Sequence, residues 1–83
     1  MVLYLNPIIN RIFHILIKHY EDILEHYGHE RGVRIGRKHI GWYSKGLPGS
    51  ANLRAKVNSI DEARLVKSVL SEFYTPLIDG SNS

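Results

Sequence analysis

Apolar residues recur at helical intervals along most of this chain, and no segment keeps the strict alternation of a strand. Ile8, Ile9, Ile12, Phe13, Ile15, Leu16, Ile17, Tyr20, Ile23, Leu24 and Tyr27 predict a first helix over about residues 7–27. Asn6-Pro7 reads as its start, with Asn as the cap and Pro at the first helical position, and Gly28 reads as its stop. Around Ile12 to Ile17 the apolar positions nearly encircle this helix, so part of its surface is expected to face another domain or subunit. A second helix is expected over about residues 30–44, followed by a turn at Lys45-Gly46-Leu47-Pro48-Gly49. Ser50 is expected to cap a third helix over 50–57, with Leu53 and Val57 inward and Arg54 and Lys56 outward. Ser59-Ile60-Asp61-Glu62 has the form of a capping box and predicts a fourth helix over 60–74, ended by Thr75-Pro76. Its inner face carries Ala63, Val66, Val69, Leu70 and Phe73. The fold class expected is all-α, a small four-helix bundle over residues 1–79 with a disordered polar tail at 80–83.

Charge changes the picture of the second helix. Arg31, Arg34, Arg37, Lys38, Lys45, Arg54 and Lys56 supply seven cations between residues 31 and 56 with no Asp or Glu among them, inside a chain of net charge +3. Placed at 100° per residue from Val33, the cations of the second helix and Lys45 fall between about 40° and 160°. Val33, Gly36, Ile40 and Tyr43 fall between about 280° and 360°, and Ile35, His39 and Trp42 between about 180° and 240°. A mixed-sign stripe is the ordinary solvated face of a helix. A stripe of one sign repels itself at i,i+3 and i,i+4, so its stability cost points to a polyanionic partner.

Composition narrows the classes. One domain is expected from 83 residues, and 43% hydrophobic content is ordinary for a globular protein. The absence of cysteine excludes disulfides, thiolate metal sites and a cysteine nucleophile, and fits a reducing cytoplasm. The apolar run from Ile8 to Ile17 is interrupted by Asn10, Arg11 and His14 and is too short to span a membrane, and the start of the chain lacks the order of a signal peptide. His14, His19, His26 and His29 have no converging ligand pattern and read as surface or boundary residues. No nucleophile with a matched base, phosphate-cradling loop or paired carboxylates can be assembled, so no catalytic residue is assigned; Asp61 and Glu62 are explained by the helix dipole.

One group of residues carries a family resemblance. Gly32, Arg34, Arg37-Lys38-His39 and Trp42-Tyr43, followed by Lys45-Gly46, Pro48-Gly49-Ser50, Leu53-Arg54 and Asn58, resemble the C-terminal helical domain of bacterial tRNA-dihydrouridine synthases, the B-type branch especially. The similarity runs from about Tyr20 to Phe73. What it implies is a tRNA-binding module. The family's enzymes join such a module to a (β/α)8 barrel that holds FMN and a catalytic cysteine, draws reducing equivalents from NADPH and reduces uridine. The barrel and its cysteine are expected to lie outside this chain, which alone is then not an enzyme.

By that resemblance tRNA and the barrel are the partners, with no cofactor in this chain and FMN and NADPH belonging to the parent enzyme. Arg31, Arg34, Arg37, Lys38, Lys45 and Arg54 would bind tRNA phosphates, and the tRNA would be held so that a D-loop uridine reaches the flavin. His39, Trp42 and Tyr43 would either stack on bases or pack; the position of Trp42 and Tyr43 on the apolar side of the helix favours packing. Gly36 stands where an alanine-like helix former is usual, implying a less rigid helix middle. Two further readings are a helical docking domain and a DNA-binding helix-turn-helix with residues 50–57 as the recognition helix.

Overall fold

The structure, a computed structural model, describes residues 2–79. It contains four α-helices: α1 (Val2–Tyr27), α2 (His29–Ser44), α3 (Ser50–Asn58) and α4 (Ala63–Asp79). The expected all-α four-helix architecture is what forms. At 1.5 Å per residue α1 spans about 39 Å, and it sets the 38 Å long dimension of the molecule. Helix α1 packs on α2 and α4, and the short α3 packs on the same two helices. The core between them is built from Leu16, Tyr20, Ile40, Leu53, Val57, Val66, Leu70 and Tyr74, all buried. Phe13 stacks on Tyr74 at 5.1 Å between ring centroids and joins α1 to α4.

Gly28 makes the first junction. Its φ of 86° is open to glycine and costly for other residues. Its N–H donates to the Leu24 carbonyl at 2.8 Å, closing α1, and its carbonyl accepts from the Gly32 N–H at 2.8 Å, opening α2. One residue thus reverses the chain.

Three expected boundaries and one cap differ. Helix α1 starts at Val2 and carries Pro7 inside it, so Asn6-Pro7 is not its start. The Pro7 ring lies at an exposed position, and a proline on the solvent side costs one backbone bond without disturbing the packed face. Ser50 is not a cap: Gly49, in the left-handed region at φ 81°, holds the N-cap position of α3. The capping box is not formed either. Ser59 serves the end of α3, donating through its backbone N–H and its hydroxyl to the Lys56 carbonyl at 3.1 and 2.8 Å. Helix α4 therefore begins at Ala63, where the Glu62 carbonyl accepts from Val66 N–H at 3.0 Å. Pro76 does not end α4, because Leu77 and Ile78 pack against the core and carry the helix to Asp79. The expected disordered tail at 80–83 lies outside the described residues.

The α1–α2 packing depends on small residues. A Cβ at Gly32 would meet Leu24 Cα at 3.0 Å, and one at Gly36 would stand 2.7 Å from Tyr20 Cδ1. Gly36 is therefore a point of close helix approach, with the Tyr20 ring filling the space a side chain would need, and not a soft spot in the basic helix. Ile8 and Ile15, one helical face of α1, remain 55% and 42% exposed, as the encircling apolar pattern implied. No helix among the described residues is long and apolar enough to cross a membrane.

Candidate nucleic-acid interface

Helix α2 turns Gly32, Val33, Gly36, Ile40 and Ser44 to the core. These positions recur at three- and four-residue steps, so the opposite face, carrying Arg31, Arg34 and Lys38, is left in solvent. Ser44 is the one buried polar residue among those described, and its hydroxyl donates to the Ile40 carbonyl at 2.8 Å. The last turn of α2 is closed by three donors. Lys45 N–H reaches the Trp42 carbonyl at 3.3 Å, Leu47 N–H the Ser44 carbonyl at 3.0 Å, and the Tyr74 hydroxyl of α4 the Tyr43 carbonyl at 3.2 Å. Carbonyls that a helix end would leave to water are thus taken up by protein.

Arg37, Lys38, Lys45 and Arg54 converge on one open groove of about 620 Å³ between α2, the turn after it and α3. Gly41, Trp42, Gly46, Ser50 and Asn58 complete the lining, which includes no acid. Arg54 passes close to α2 at Gly41, where an added Cβ would touch Arg54 Cδ at 3.4 Å. The groove holds four of the six cations expected to form the site. Arg34 lines a separate depression with His29, Glu30 and Asp61, and Arg31 stands exposed in the first turns of α2.

Arg37 differs from its neighbours. Its guanidinium donates to the Ile60 carbonyl and to the Asp61 carboxylate, both at 3.1 Å, and its side chain is only 25% exposed. It ties the basic helix to the α3–α4 linker, so Asp61 approaches a stripe that is free of acid in sequence. Its charge also acts on Tyr20. Burial pushes the Tyr20 hydroxyl up to about 12 from 10, and the nearby Arg37 charge opposes that rise. Neither the Tyr20 hydroxyl nor Arg37 Nε has a hydrogen-bond partner among the described residues.

The aromatic residues divide. Trp42 is 61% exposed at the groove, which corrects the expectation that it packs into the core. The helical wheel put it at the edge of the apolar arc, and that edge is left uncovered. Lys38 Nζ lies 5.6 Å from the indole centroid, and His39 meets the ring edge-on at 5.2 Å. Tyr43 packs against the core, with its hydroxyl 3.2 Å from His19 Nδ1. His14 Nδ1 is hydrogen-bonded to the Asn10 carbonyl at 2.9 Å, a local bond within α1. Among the described residues no three His, Asp or Glu side chains gather as metal ligands would. Charge alone singles out neither Asn58 nor Ser50. The i,i+4 spacing of Arg54 and Asn58 on α3 was the available signal for Asn58.

Known proteins resemble this chain along most of its length. The dihydrouridine synthase family profile matches residues 5–76. A probable tRNA-dihydrouridine synthase of Rickettsia conorii is 48% identical over 73 residues, 88% of this chain and 22% of that protein. The tRNA-dihydrouridine synthase B of Xanthomonas campestris is 40% identical over 65 residues, 78% of this chain and 20% of its own length. That of Pseudomonas aeruginosa is 38% identical over 60 residues, 72% of this chain and 18% of its length. The chain thus spans about one fifth of the length of these relatives. No solved structure matches it. On the family profile and these identities, the chain belongs to the dihydrouridine synthase family.

Proposed function

We propose that residues 1–79 form the tRNA-binding helical domain of a flavin-dependent tRNA-dihydrouridine synthase, acting in the cytoplasm. The observation that carries this reading is the convergence of Arg37, Lys38, Lys45 and Arg54, from two helices and a turn, on a groove with no acid in its lining. Relatives named tRNA-dihydrouridine synthases supply the nucleic acid that such a groove would meet. Folded RNA is recognised through phosphates, 2′-hydroxyls and shape, and cations fixed on packed helices suit that task. Lys38, Lys45 and Arg54 are exposed and act directly on phosphates, with Arg31 and Arg34 extending the track along α2. Arg37 is chiefly a positioning residue, since its donors are engaged by Ile60 and Asp61.

The domain's part is to grip the tRNA body so that a D-loop uridine is presented to a barrel domain, in the same chain or a separate one. FMN and NADPH belong to that partner. The groove does not fit a flavin: it is open to solvent and offers one exposed indole, with no enclosed apolar slot to bury a three-ring isoalloxazine.

The test is tRNA binding at two or more salt concentrations by the wild-type chain and by the variant Arg34→Ala/Lys38→Ala/Lys45→Ala. Removing one phosphate-binding cation flattens the slope of log K against log salt by about 0.7–0.9, so the triple variant gives up about two units of slope. Equal slopes for the two proteins would remove the basic helix from the RNA interface.

A further inference from the structure

Trp42 is the feature of the groove that phosphate binding leaves unexplained. An indole left 61% in water among Lys38, Lys45 and Arg54 gains little from packing. A duplex held by its phosphates makes no use of it either. A nucleobase out of its stack does, because every base has a π-face and stacking on an aromatic ring requires no particular sequence. The orientation of the ring is already restricted, by His39 at its edge and by Lys38 near its face.

The surrounding residues supply what the rest of a nucleotide needs. Lys45 and Arg54, which line the groove with Trp42, offer charge for adjoining phosphates. Ser50 and Asn58 bring a hydroxyl and an amide that both donate and accept, suited to a base edge or a 2′-hydroxyl. We propose that the groove is a subsite for one unpaired ribonucleotide, with Trp42 as its stacking platform and Lys45 and Arg54 as its phosphate ligands. This rests on the tRNA-binding reading and narrows it: the domain holds one nucleotide of the bound RNA outside the helical stack.

Trp42 is the only tryptophan in the chain, so its emission reports the subsite directly. The 83-residue chain is titrated with a short oligouridylate, an RNA duplex and inorganic polyphosphate while Trp emission is followed. In parallel, tRNA affinity is measured for wild type, Trp42→Phe and Trp42→Leu, whose exposed position leaves the helical circular dichroism intact. Oligouridylate is expected to quench the emission, and the duplex and polyphosphate to leave it nearly unchanged. Trp42→Phe keeps most of the tRNA affinity, while Trp42→Leu loses roughly 5- to 150-fold at an unchanged salt slope. Polyphosphate quenching equal to that by oligouridylate would overturn the subsite. So would tRNA binding with unaltered emission, or wild-type affinity in Trp42→Leu; each of these leaves the tRNA-binding reading standing. Failure of the wild-type chain to bind tRNA at all removes both.

Discussion

Gly36 and Gly41 lie on one helix and answer to different neighbours. At Gly36 an added methyl would drive into the Tyr20 ring, which is fully enclosed by the core and has nowhere to move. Overpacking of this kind costs about 1–3 kcal/mol and outweighs the roughly 1 kcal/mol that alanine returns through helix propensity. At Gly41 the methyl would meet only the flexible Arg54 stem at ordinary van der Waals distance. Urea denaturation followed by circular dichroism is therefore expected to give opposite signs. Gly36→Ala lowers the midpoint, and Gly41→Ala raises stability by up to about 1 kcal/mol. A raised midpoint in Gly36→Ala would mean that α1 and α2 do not approach as closely as described.

Among the elements, α2 divides its cations between structure and surface. Arg34→Ala or Lys38→Ala relieves a repelling i,i+4 pair but gives up Glu30 beside Arg34 or the indole beside Lys38, and is expected to change stability by no more than about 0.5 kcal/mol. Arg37→Ala releases the Ile60 carbonyl and frees the α3–α4 linker, and is expected to cost about 1 kcal/mol or more, since bonds from charged donors exceed the neutral average. Comparing the three unfolding midpoints checks the division; equal effects would contradict it. The sequence made the four helices, the inward face of α2 and the convergence of basic residues readable, because each follows from a repeating period or a run of like charge. It did not show that Ser59 closes α3, since the same S-x-x-E spacing serves either helix until Arg37 fixes Ile60 from a distance of 23 residues. It also misplaced Trp42: a helical wheel gives an angle, but only the packing of neighbouring helices decides whether that angle is covered. Pro76 misled for a similar reason, as the burial of Leu77 and Ile78 beyond it outweighs the local break.

At the scale of the molecule, two core tyrosines couple stability to alkaline pH. Burial pushes both Tyr20 and Tyr74 up to about 12 from 10. Between these values the unfolded chain sheds tyrosine protons that the folded chain retains, so stability falls as pH rises from about 10 to about 12, and neither tyrosine adds pH dependence below that window. Tyr20→Phe gives up no hydrogen bond among the described residues, so its denaturation midpoint is expected to fall less steeply across that range than wild type. Parallel curves would place the alkaline sensitivity elsewhere. The bond from Tyr74 to the Tyr43 carbonyl has a second consequence. Helix ends are ordinarily the first parts of a fold to open, yet the end of α2 that bears Trp42 and Lys45 is fastened to α4 and opens only when that bond breaks. The backbone beneath the groove is consequently preorganised: a ligand entering it orders lysine and arginine side chains, but not the helix end that carries them.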